Sequence, residues 1–168
     1  RMSELIQGLL FYSRIGQEKK LELVNTAETV KQVMQDLAHS IKETGAHITC
    51  TGLPELNVYP VEFRQLIQNM VNNAIKFRRK EIAPKIDITA EPKNGSVHFR
   101  VADTGIGIAE KDRQRVFILF KRLHDREDYP GTGIGLAHCK KIVEMHGGNI
   151  WIEPNTGGGT VFNFTINT

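Results

Sequence analysis

The sequence predicts an α+β domain, in which strands paired as hairpins share a core with longer helices. Two segments of alternating apolar and polar residues flank the pair Asn94-Gly95, which is a strong indication of a two-residue hairpin turn. Three segments with helical periodicity, 27–44, 61–77 and 133–146, alternate with strand segments along the chain. A chain of 168 residues is long enough to bury such a core.

Composition and charge exclude several classes of protein. The hydrophobic content of 40% and the charged content of 24% are ordinary for a globular domain, and a formal charge of +3 is too small to argue for nucleic acid or membrane binding. We find no apolar run of membrane-spanning length and no signal-peptide pattern. We therefore expect no nucleic acid partner and no direct membrane contact. The basic run 78–80 is expected to form a solvated face.

The two cysteines, Cys50 and Cys139, lie far apart and in no metal-binding or redox spacing. This usage is typical of a reducing compartment, so we expect a cytoplasmic location.

The first fifteen residues predict a helix, because Leu5, Leu9 and Tyr12 fall on one helical stripe. Its apolar face is broad enough to need a partner, which is either a second helix or the rest of the domain. Because the chain begins inside this helix, we expect it to be a piece of a longer protein. A polar break over 16–20 separates the helix from a short predicted strand over 21–24.

The helix over 27–44 begins and ends at recognisable capping residues. Asn25 and Thr26 can cap its first turn, and Gly45 can adopt the left-handed conformation that ends it. Strands are predicted over 48–51 and 57–59, on either side of a turn at 52–54.

The helix over 61–77 follows Pro60, a residue tolerated at the first helical position, and carries a polar row. Asn69 and Asn73 lie four residues apart on one face, with Lys76 one turn beyond. Asn is a poor helix former, so two on one face need a reason. Carboxamide oxygens suit a hard cation that bridges phosphates, and Lys76 would add a counter-charge. The alternative is a pair of exposed polar residues.

Two glycine clusters frame the second half of the chain. Residues 103–107, DTGIG, follow the predicted strands 85–92 and 96–101; a buried carboxylate there can accept a hydrogen bond from an exocyclic amine, while glycines let a flat ring approach. Residues 131–136, GTGIGL, open the last helix, whose unpaired N–H groups can bind an anion. Either cluster alone is more often an ordinary turn. Together they indicate a nucleotide lying between them.

A short helix over 110–116 and the polar run 121–130 are predicted between the clusters. The run is too polar to bury itself, so it is either a mobile lid over a ligand or an ordinary surface loop, with His124 among its side chains. After the last helix, strands over 149–153 and 160–166 are expected to pair, which directs Thr160 towards the same ligand.

Four segments in this order, NMVNNAIKF, DTGIGI, VFILF and GTGIGL, resemble the ATP-binding boxes of sensor histidine kinases. The resemblance covers about residues 20–168, and RLHDREDYPGTGIGLAHCKKIVEMHGG is especially similar to the phytochrome and PAS-linked branch. RMSELIQGLLFYSRI looks like the end of the dimerisation helix that precedes this domain in such kinases. The resemblance therefore implies two units, 1–16 as the end of that helix and 17–168 as the catalytic ATP-binding domain.

The fold implied by this resemblance is the Bergerat fold. It is a two-layer α/β sandwich in which a mixed, mainly antiparallel sheet is covered by helices on one face, here with an additional N-terminal helix.

The resemblance also implies roles for individual residues. Asp103 would bind the adenine amine, Asn73 would hold Mg²⁺, and Arg122 would reach the terminal phosphates of ATP. Asn69, Lys76 and Arg122 would act at the phosphoryl group and form the catalytic set. The complete nucleotide-binding set is Asn69, Asn73, Lys76, Asp103, Gly105, Gly107, Ile108, Arg122, Thr132, Gly133, Ile134, Gly135, Leu136 and Thr160.

The implied function is that of a catalytic domain that binds MgATP and transfers the γ-phosphoryl group to a histidine on a separate dimerisation domain. The family's acceptor histidine lies in a His-Glu or His-Asp motif on the first dimerisation helix. None of the six histidines of this chain has that context, so the acceptor is missing from this chain. ATPase relatives, such as the gyrase and heat-shock chaperone types, carry a water-activating glutamate one turn before the metal-binding asparagine. This chain has Asn69 there, and a carboxamide is no general base, which favours transfer over hydrolysis.

The implied partners are the dimerisation and phosphotransfer domain of the parent kinase and a response-regulator receiver domain. The parent would be a homodimer, whereas this chain is expected to be a monomer or a weak dimer. Three alternatives are an ATPase or chaperone-type module, a non-catalytic interaction module that has kept the fold, and a serine kinase of the anti-sigma type. Intact Asn73, Asp103 and glycine clusters count against the second, and the helix over 1–15 counts against the third.

Overall fold

The computed structural model describes residues 20–123, 129 and 131–167 of the chain. The helix predicted over 1–15 and most of the polar run 121–130, including His124, lie outside the described residues. The described elements, in chain order, are β1 (Glu22–Asn25), α1 (Thr26–Asp36), α2 (Ala38–Thr44), β2 (His47–Thr51), β3 (Glu55–Val58), α3 (Pro60–Lys76), β4 (Lys85–Lys93), β5 (Ser96–Asp103), two 3₁₀ turns (Glu110–Asp112 and Arg115–Phe117), α4 (Gly135–Met145), β6 (Ile150–Pro154) and β7 (Thr160–Asn167).

The main sheet has five strands in the order β2-β4-β5-β7-β6. Strands β2 and β4 are parallel, and every other neighbouring pair in this sheet is antiparallel. The hairpins predicted for β4 with β5 and for β6 with β7 are confirmed, and so is a mixed, mainly antiparallel sheet. The strands on either side of the turn at 52–54 do not pair with each other: β3 pairs with β1 in a separate two-stranded sheet.

Helices cover one face of the main sheet, as the alternating burial of residues along its strands shows. Along β4, Ile86, Ile88 and Ala90 are buried, whereas the residues between them are at least partly exposed. Helix α3 buries its apolar stripe against this face, and Phe99 of β5 contacts Phe63 edge-on and Phe164 by stacking, with ring centroids 5.6 and 4.9 Å away. The two-layer α+β architecture is therefore confirmed.

Three predicted helices differ in detail from the observed ones. The helix over 27–44 is two helices joined at Leu37, whose φ of −94° and ψ of 9° bend the chain. The helix over 110–116 is two short 3₁₀ turns. The last helix begins at Gly135 rather than Gly133, because Gly133 has a φ of +75°, which a right-handed helix excludes. Gly45 does cap α2 in the left-handed region, with a φ of +66°.

His146 joins the C-terminal end of α4 to the N-terminal end of α3. Its Nδ1 lies 2.8 Å from the carbonyl oxygen of Ile142, and its Nε2 accepts the backbone N–H of Tyr59 at 3.0 Å. Tyr59 is the N-cap of α3, and no side chain of its own caps that helix. Since Nε2 accepts a hydrogen bond, the ring is neutral with its proton on Nδ1. Burial lowers the pKa of His146 and reinforces the neutral form.

We expect the contribution of His146 to stability to be lost as the pH falls below about 6.5, the ordinary pKa of histidine. The unfolded chain then binds a proton that the folded protein excludes, so the free energy of unfolding decreases until the folded-state pKa is passed. The measurement is urea unfolding at pH 7.5 and 5.5 for the wild type and for His146→Gln, whose carboxamide does not titrate. The wild type should lose more stability than the variant over this interval, and an equal loss would contradict the assignment.

Candidate functional site

A cavity of about 280 Å³ opens between α3, the loop after β5 and the start of α4. Two of the residues that the sequence assigns to nucleotide binding do not line this cavity. Gly105, in the loop after β5, packs against the backbone of Phe77, and Ile134 is buried with 3% of its surface exposed. The other twelve all line the cavity: Asn69, Asn73, Lys76, Asp103, Gly107, Ile108, Arg122, Thr132, Gly133, Gly135, Leu136 and Thr160.

Asp103 is the buried acid of this cavity, with 6% of its surface exposed at the end of β5. Its Oδ1 accepts two backbone N–H groups, from Gly105 at 2.8 Å and from Thr160 at 3.2 Å. Burial raises the pKa of Asp103, and these two hydrogen bonds oppose the rise. Within the described part of the chain, Oδ2 accepts no hydrogen bond, so one oxygen is held by the backbone and the other is available to a ligand's donor.

Two glycines allow the backbone to approach this carboxylate. A Cβ atom at Gly105 would lie 2.5 Å from the carbonyl oxygen of Phe77 and 2.9 Å from Asp103 Oδ1. Gly159, which has a φ of +102°, packs so closely on the Asp103 carbonyl that a Cβ atom would overlap it. The two glycines therefore determine how near the neighbouring segments come to Asp103.

The polar row of α3 forms a second wall of the cavity. Asn69 is held on both sides, since its Oδ1 accepts from Gln65 and its Nδ2 donates to the carbonyl oxygen of Gly135, each at 3.4 Å. Cys139 lies behind Asn69. Complete burial raises the pKa of its thiol to about 12, although a hydrogen bond with Asn69 acts to lower that pKa. The thiol is therefore neutral at physiological pH.

Lys76 is the cation of this wall, and its ammonium lies 4.6 Å from the centroid of the Phe77 ring. Burial, and then the nearby charge of Arg122, lower the pKa of Lys76. Arg122 donates to the carbonyl oxygen of Tyr129 at 2.8 Å and also to that of Gly131. Two cations thus face the same end of the cavity.

The start of α4 lies at that same end. No side chain caps the helix at Ile134, and Gly135 and Leu136 in its first turn line the cavity. The first N–H groups of a helix have no partner within it and attract anions. An acid at one end of the cavity and two cations with a helix N-terminus at the other suit a ligand with an amine at one end and phosphates at the other.

Sequence reasoning missed an aromatic pair in the cavity wall. The rings of Phe77 and Tyr129 lie 5.0 Å apart at 37°, and both line the cavity. Phe77 directly follows Lys76 at the end of the polar row, which was a usable indication. The partner ring comes from 52 residues further on, and a linear pattern does not encode that contact.

Among the described residues, no group of three or more His, Cys, Asp or Glu side chains could hold a metal ion. A hard cation that keeps most of its waters needs fewer protein ligands, and the carboxamide of Asn73 in the cavity wall suits it. No described helix is both long and apolar enough to cross a membrane.

The family described as histidine kinase-, DNA gyrase B-, and HSP90-like ATPase matches residues 59–168. The chain belongs to this family. Within it, the similarity is to sensor histidine kinases, as the four motifs predicted. Cyanobacterial phytochrome A of Nostoc sp. is 43% identical over 98% of this chain, and the phytochrome-like protein Cph1 of Synechocystis sp. is 39% identical over 98%. The chain spans 22% of the length of each.

Solved structures of this ATPase-like family agree with that similarity. Full-length ShkA in complex with AMPPNP superposes with a TM-score of 0.82 at 29% identity, over 97% of this chain and 35% of that one. The catalytic domain of histidine kinase ThkA superposes with a TM-score of 0.76 at 27% identity, over 88% of this chain and 95% of that one. The fold of this domain is therefore that of histidine kinase catalytic domains.

Gly105→Ala is expected to destabilise the domain by about 1–3 kcal/mol, because the added methyl group must displace the backbone of Phe77. Gly135→Ala is the matched control: its Cβ atom would lie 3.5 Å from Asn69 in ordinary contact, and alanine favours a helix. Urea unfolding of both variants measures the difference. Equal stabilities would mean that the close approach at Gly105 is not required.

Proposed function

We propose that this chain is the ATP-binding catalytic domain of a sensor histidine kinase. It binds MgATP in the cavity and transfers the γ-phosphoryl group to a histidine on a separate dimerisation domain. The observation that carries the proposal is the half-satisfied carboxylate of Asp103, because its Oδ2 is a fixed acceptor in a buried wall. An adenine amine is the donor that matches it, and family membership supports the same ligand.

The adenine ring lies at the end of the cavity formed by Asp103, Gly107 and Thr160, with Ile108 as an apolar wall. Asp103 accepts the exocyclic amine, and guanine is disfavoured because its O6 would meet the carboxylate with a second acceptor. Gly105 acts from behind the wall, through its N–H bond to Asp103.

The phosphates lie at the opposite end, between α3 and the start of α4. Lys76 and Arg122 neutralise their charge, and the backbone N–H groups at Gly133, Gly135 and Leu136 bind their oxygens, with Thr132 and Ile134 completing the turn. Asn73 would hold Mg²⁺ through its carboxamide oxygen, with Asn69 beside it. The cation would offset the charge of the phosphates that an incoming nucleophile meets.

The chain contributes positioning and electrostatics to phosphoryl transfer. The acceptor imidazole nitrogen forms a bond to the γ-phosphorus as the bond from that phosphorus to the bridging oxygen breaks, and ADP leaves. Lys76 and Arg122 stabilise the charge on the transferring group. Asn69 has no basic group to activate water, and its hydrogen bonds with Gln65 and Gly135 orient the carboxamide.

We further propose the domain division and the partners that the sequence suggested. Residues 17–168 form the catalytic domain, and residues 1–16 are the end of the dimerisation helix of a homodimeric parent. Strand β1 begins at Glu22 and pairs with β3, which supports a boundary just before it. A receiver domain is the proposed downstream partner; ThkA has been solved in complex with a response regulator protein, TrrA.

Asp103→Asn is expected to weaken ATP binding by about 30-fold or more, as loss of a charge-assisted hydrogen bond at a buried site does. The carboxamide oxygen would stay on the N–H groups of Gly105 and Thr160, which turns its NH₂ group towards the adenine amine. Calorimetric titration with ATP and GTP measures the effect, and the ratio of ATP to GTP affinity should fall, since an NH₂ group can donate to guanine O6.

Asp87→Asn is the matched control for that titration, because Asp87 lies on the exposed face of β4, away from the cavity. It should bind ATP as the wild type does. Failure of the wild type to bind ATP, or unchanged binding by Asp103→Asn, would refute the proposal.

The isolated chain is expected to take up no phosphate from γ-labelled ATP and to release phosphate slowly. Label should appear only on an added dimerisation domain that carries an acceptor histidine. Asn69→Glu should raise phosphate release by about tenfold, because a carboxylate can act as general base there. Gln68→Glu is the control for added charge, since Gln68 lies on the same helix and does not line the cavity. Rapid release by the wild type that is lost in Asp103→Asn would instead favour an ATPase.

A further inference from the structure

Arg79 lies just beyond the C-terminal end of α3, in the basic run that the sequence suggested would be a solvated face. Its side chain is exposed, as predicted, and its guanidinium also bridges two loops. Nε donates to the carbonyl oxygen of Gly105 at 3.2 Å, and Nη2 donates to that of Gly157 at 3.5 Å. Gly158, with a φ of +105°, packs so closely on Nη2 that a Cβ atom would overlap it. These contacts fix the position of the guanidinium between the two loops.

Asn155 joins the same two loops from the other side. Its Nδ2 donates to the backbone carbonyl of Asp103 at 2.8 Å. Backbone hydrogen bonds of Asn155 also close the turn that follows it. The N–H of Asn155 donates to the carbonyl oxygen of Gly159 at 3.3 Å, and the carbonyl oxygen of Asn155 accepts the N–H of Gly158 at 3.0 Å. This turn leads directly into Thr160. Asn155 thus fixes the distance between the turn and the residue that bears the carboxylate.

The two joined loops are those that supply both hydrogen bonds to Asp103 Oδ1. Gly105 gives one N–H and accepts from Arg79 through its own carbonyl group. Thr160 gives the other N–H and follows the turn that Arg79 and Asn155 hold. Neither Arg79 nor Asn155 lines the cavity. Neither side chain therefore contacts a ligand in the cavity directly, and the contacts of both residues lead to the backbone around Asp103.

We propose that Arg79 and Asn155 are positioning residues that set the preference for adenine over guanine. They hold the two N–H donors in place, which keeps Oδ1 engaged and Oδ2 directed at the base. This inference rests on the proposed ATP binding. When the loops are loosened, the carboxylate can rotate away from the base, so adenine loses its acceptor while guanine loses an unfavourable neighbour.

A rival explanation is that Arg79 attracts the triphosphate as a cation. A long-range charge acts equally on ATP and GTP, because their phosphates are identical. The ratio of the two affinities therefore separates positioning from attraction. Arg78 is the matched control: it is the neighbouring cation, and its Nη1 donates to the carbonyl oxygen of Ile75 rather than to either loop.

The experiment measures ATP and GTP affinities by calorimetry for the wild type, Arg79→Ala, Asn155→Ala and Arg78→Ala, with melting temperatures as the check on folding. We expect the ATP-to-GTP affinity ratio to fall about tenfold in Arg79→Ala and Asn155→Ala, the scale of one lost hydrogen bond to a charged group. Arg78→Ala should change it less than about twofold. Equal losses for ATP and GTP in Arg79→Ala, or the same change in Arg78→Ala, would overturn the inference.

A second pair of variants tests whether the position of the guanidinium matters, without changing any charge. Gly158→Ala and Gly157→Ala both place alanine at positive φ, +105° and +86°, but only the first methyl group meets Arg79, since nothing lies within 4 Å of the second. The affinity ratio should fall in Gly158→Ala and stay near that of the wild type in Gly157→Ala. Equal ratios in the two variants would count against the positioning role.

Two further measurements separate failure of this inference from failure of ATP binding. Amide hydrogen exchange at Gly105 and Thr160 needs no nucleotide, and it should become faster in Arg79→Ala and stay unchanged in Arg78→Ala. If exchange is unchanged, the positioning role is wrong even when the wild type binds ATP. If the wild type binds no ATP, the proposed function fails, and the adenine preference fails with it.

Arg79→Lys and a double variant complete the test. Lysine keeps the charge but can reach only one carbonyl, so its affinity ratio should lie between those of the wild type and Arg79→Ala. Full restoration by lysine would favour attraction over positioning. Adding Arg79→Ala to Asp103→Asn should lower ATP affinity no further, because Arg79 acts through Asp103. If the double variant lost ATP affinity additively, Arg79 would not act through Asp103.

Discussion

The carboxylate of Asp103 at the junction of β5 and β7 is the constraint on which the site depends. A buried charge is unfavourable unless it is hydrogen-bonded, and here two backbone N–H groups, those of Gly105 and Thr160, reach the same oxygen from segments that are far apart in the chain. That convergence requires the two segments to approach more closely than side chains allow. Glycines at 105 and 159 meet the requirement, so the composition of both loops follows from one acid.

The two ends of the cavity are held by different parts of the fold. The acidic end is held by the sheet, because β5 and β7 are hydrogen-bonded neighbours and their loops continue that pairing. The basic end is held by helix packing, in which Asn69 of α3 contacts the first turn of α4 and His146 at the far end of α4 binds the start of α3. A change in the packing angle of the helices would therefore alter the basic end more than the acidic end.

Features determined by neighbouring residues could be predicted from the sequence. Asn94-Gly95 specifies its hairpin, Gly45 ends a helix, and Pro60 begins α3, because each acts through its own backbone preferences. The polar row of α3 and both glycine clusters were identified for the same reason. The order of the strands could not be predicted from neighbouring residues. The parallel pairing of β2 with β4 and the pairing of β1 with β3 depend on how distant segments pack.

Individual side chains show the same limit. The charge run that contains Arg79 correctly indicates an exposed side chain. It does not indicate that the carbonyl groups of Gly105 and Gly157 lie beside the guanidinium, because only the folded chain brings them there. The Phe77 ring contacts Tyr129, one of the few large apolar side chains in the otherwise polar segment 121–130. In both cases the partner is fixed by tertiary structure, which a periodicity of two or 3.6 residues does not record.

The thiol of Cys139 has a consequence for the chemical durability of the site. Burial raises the pKa of this thiol to about 12, so almost none of it is ionised at pH 7, and oxidation proceeds from the ionised form. Peroxide and disulfides therefore find almost no nucleophile behind Asn69, although a sulfur atom lies there. A sulfinate at that position would place a permanent negative charge beside the wall that faces Lys76 and Arg122. Burial of the sulfur thus disfavours an oxidation that would change the charge near the basic end of the cavity.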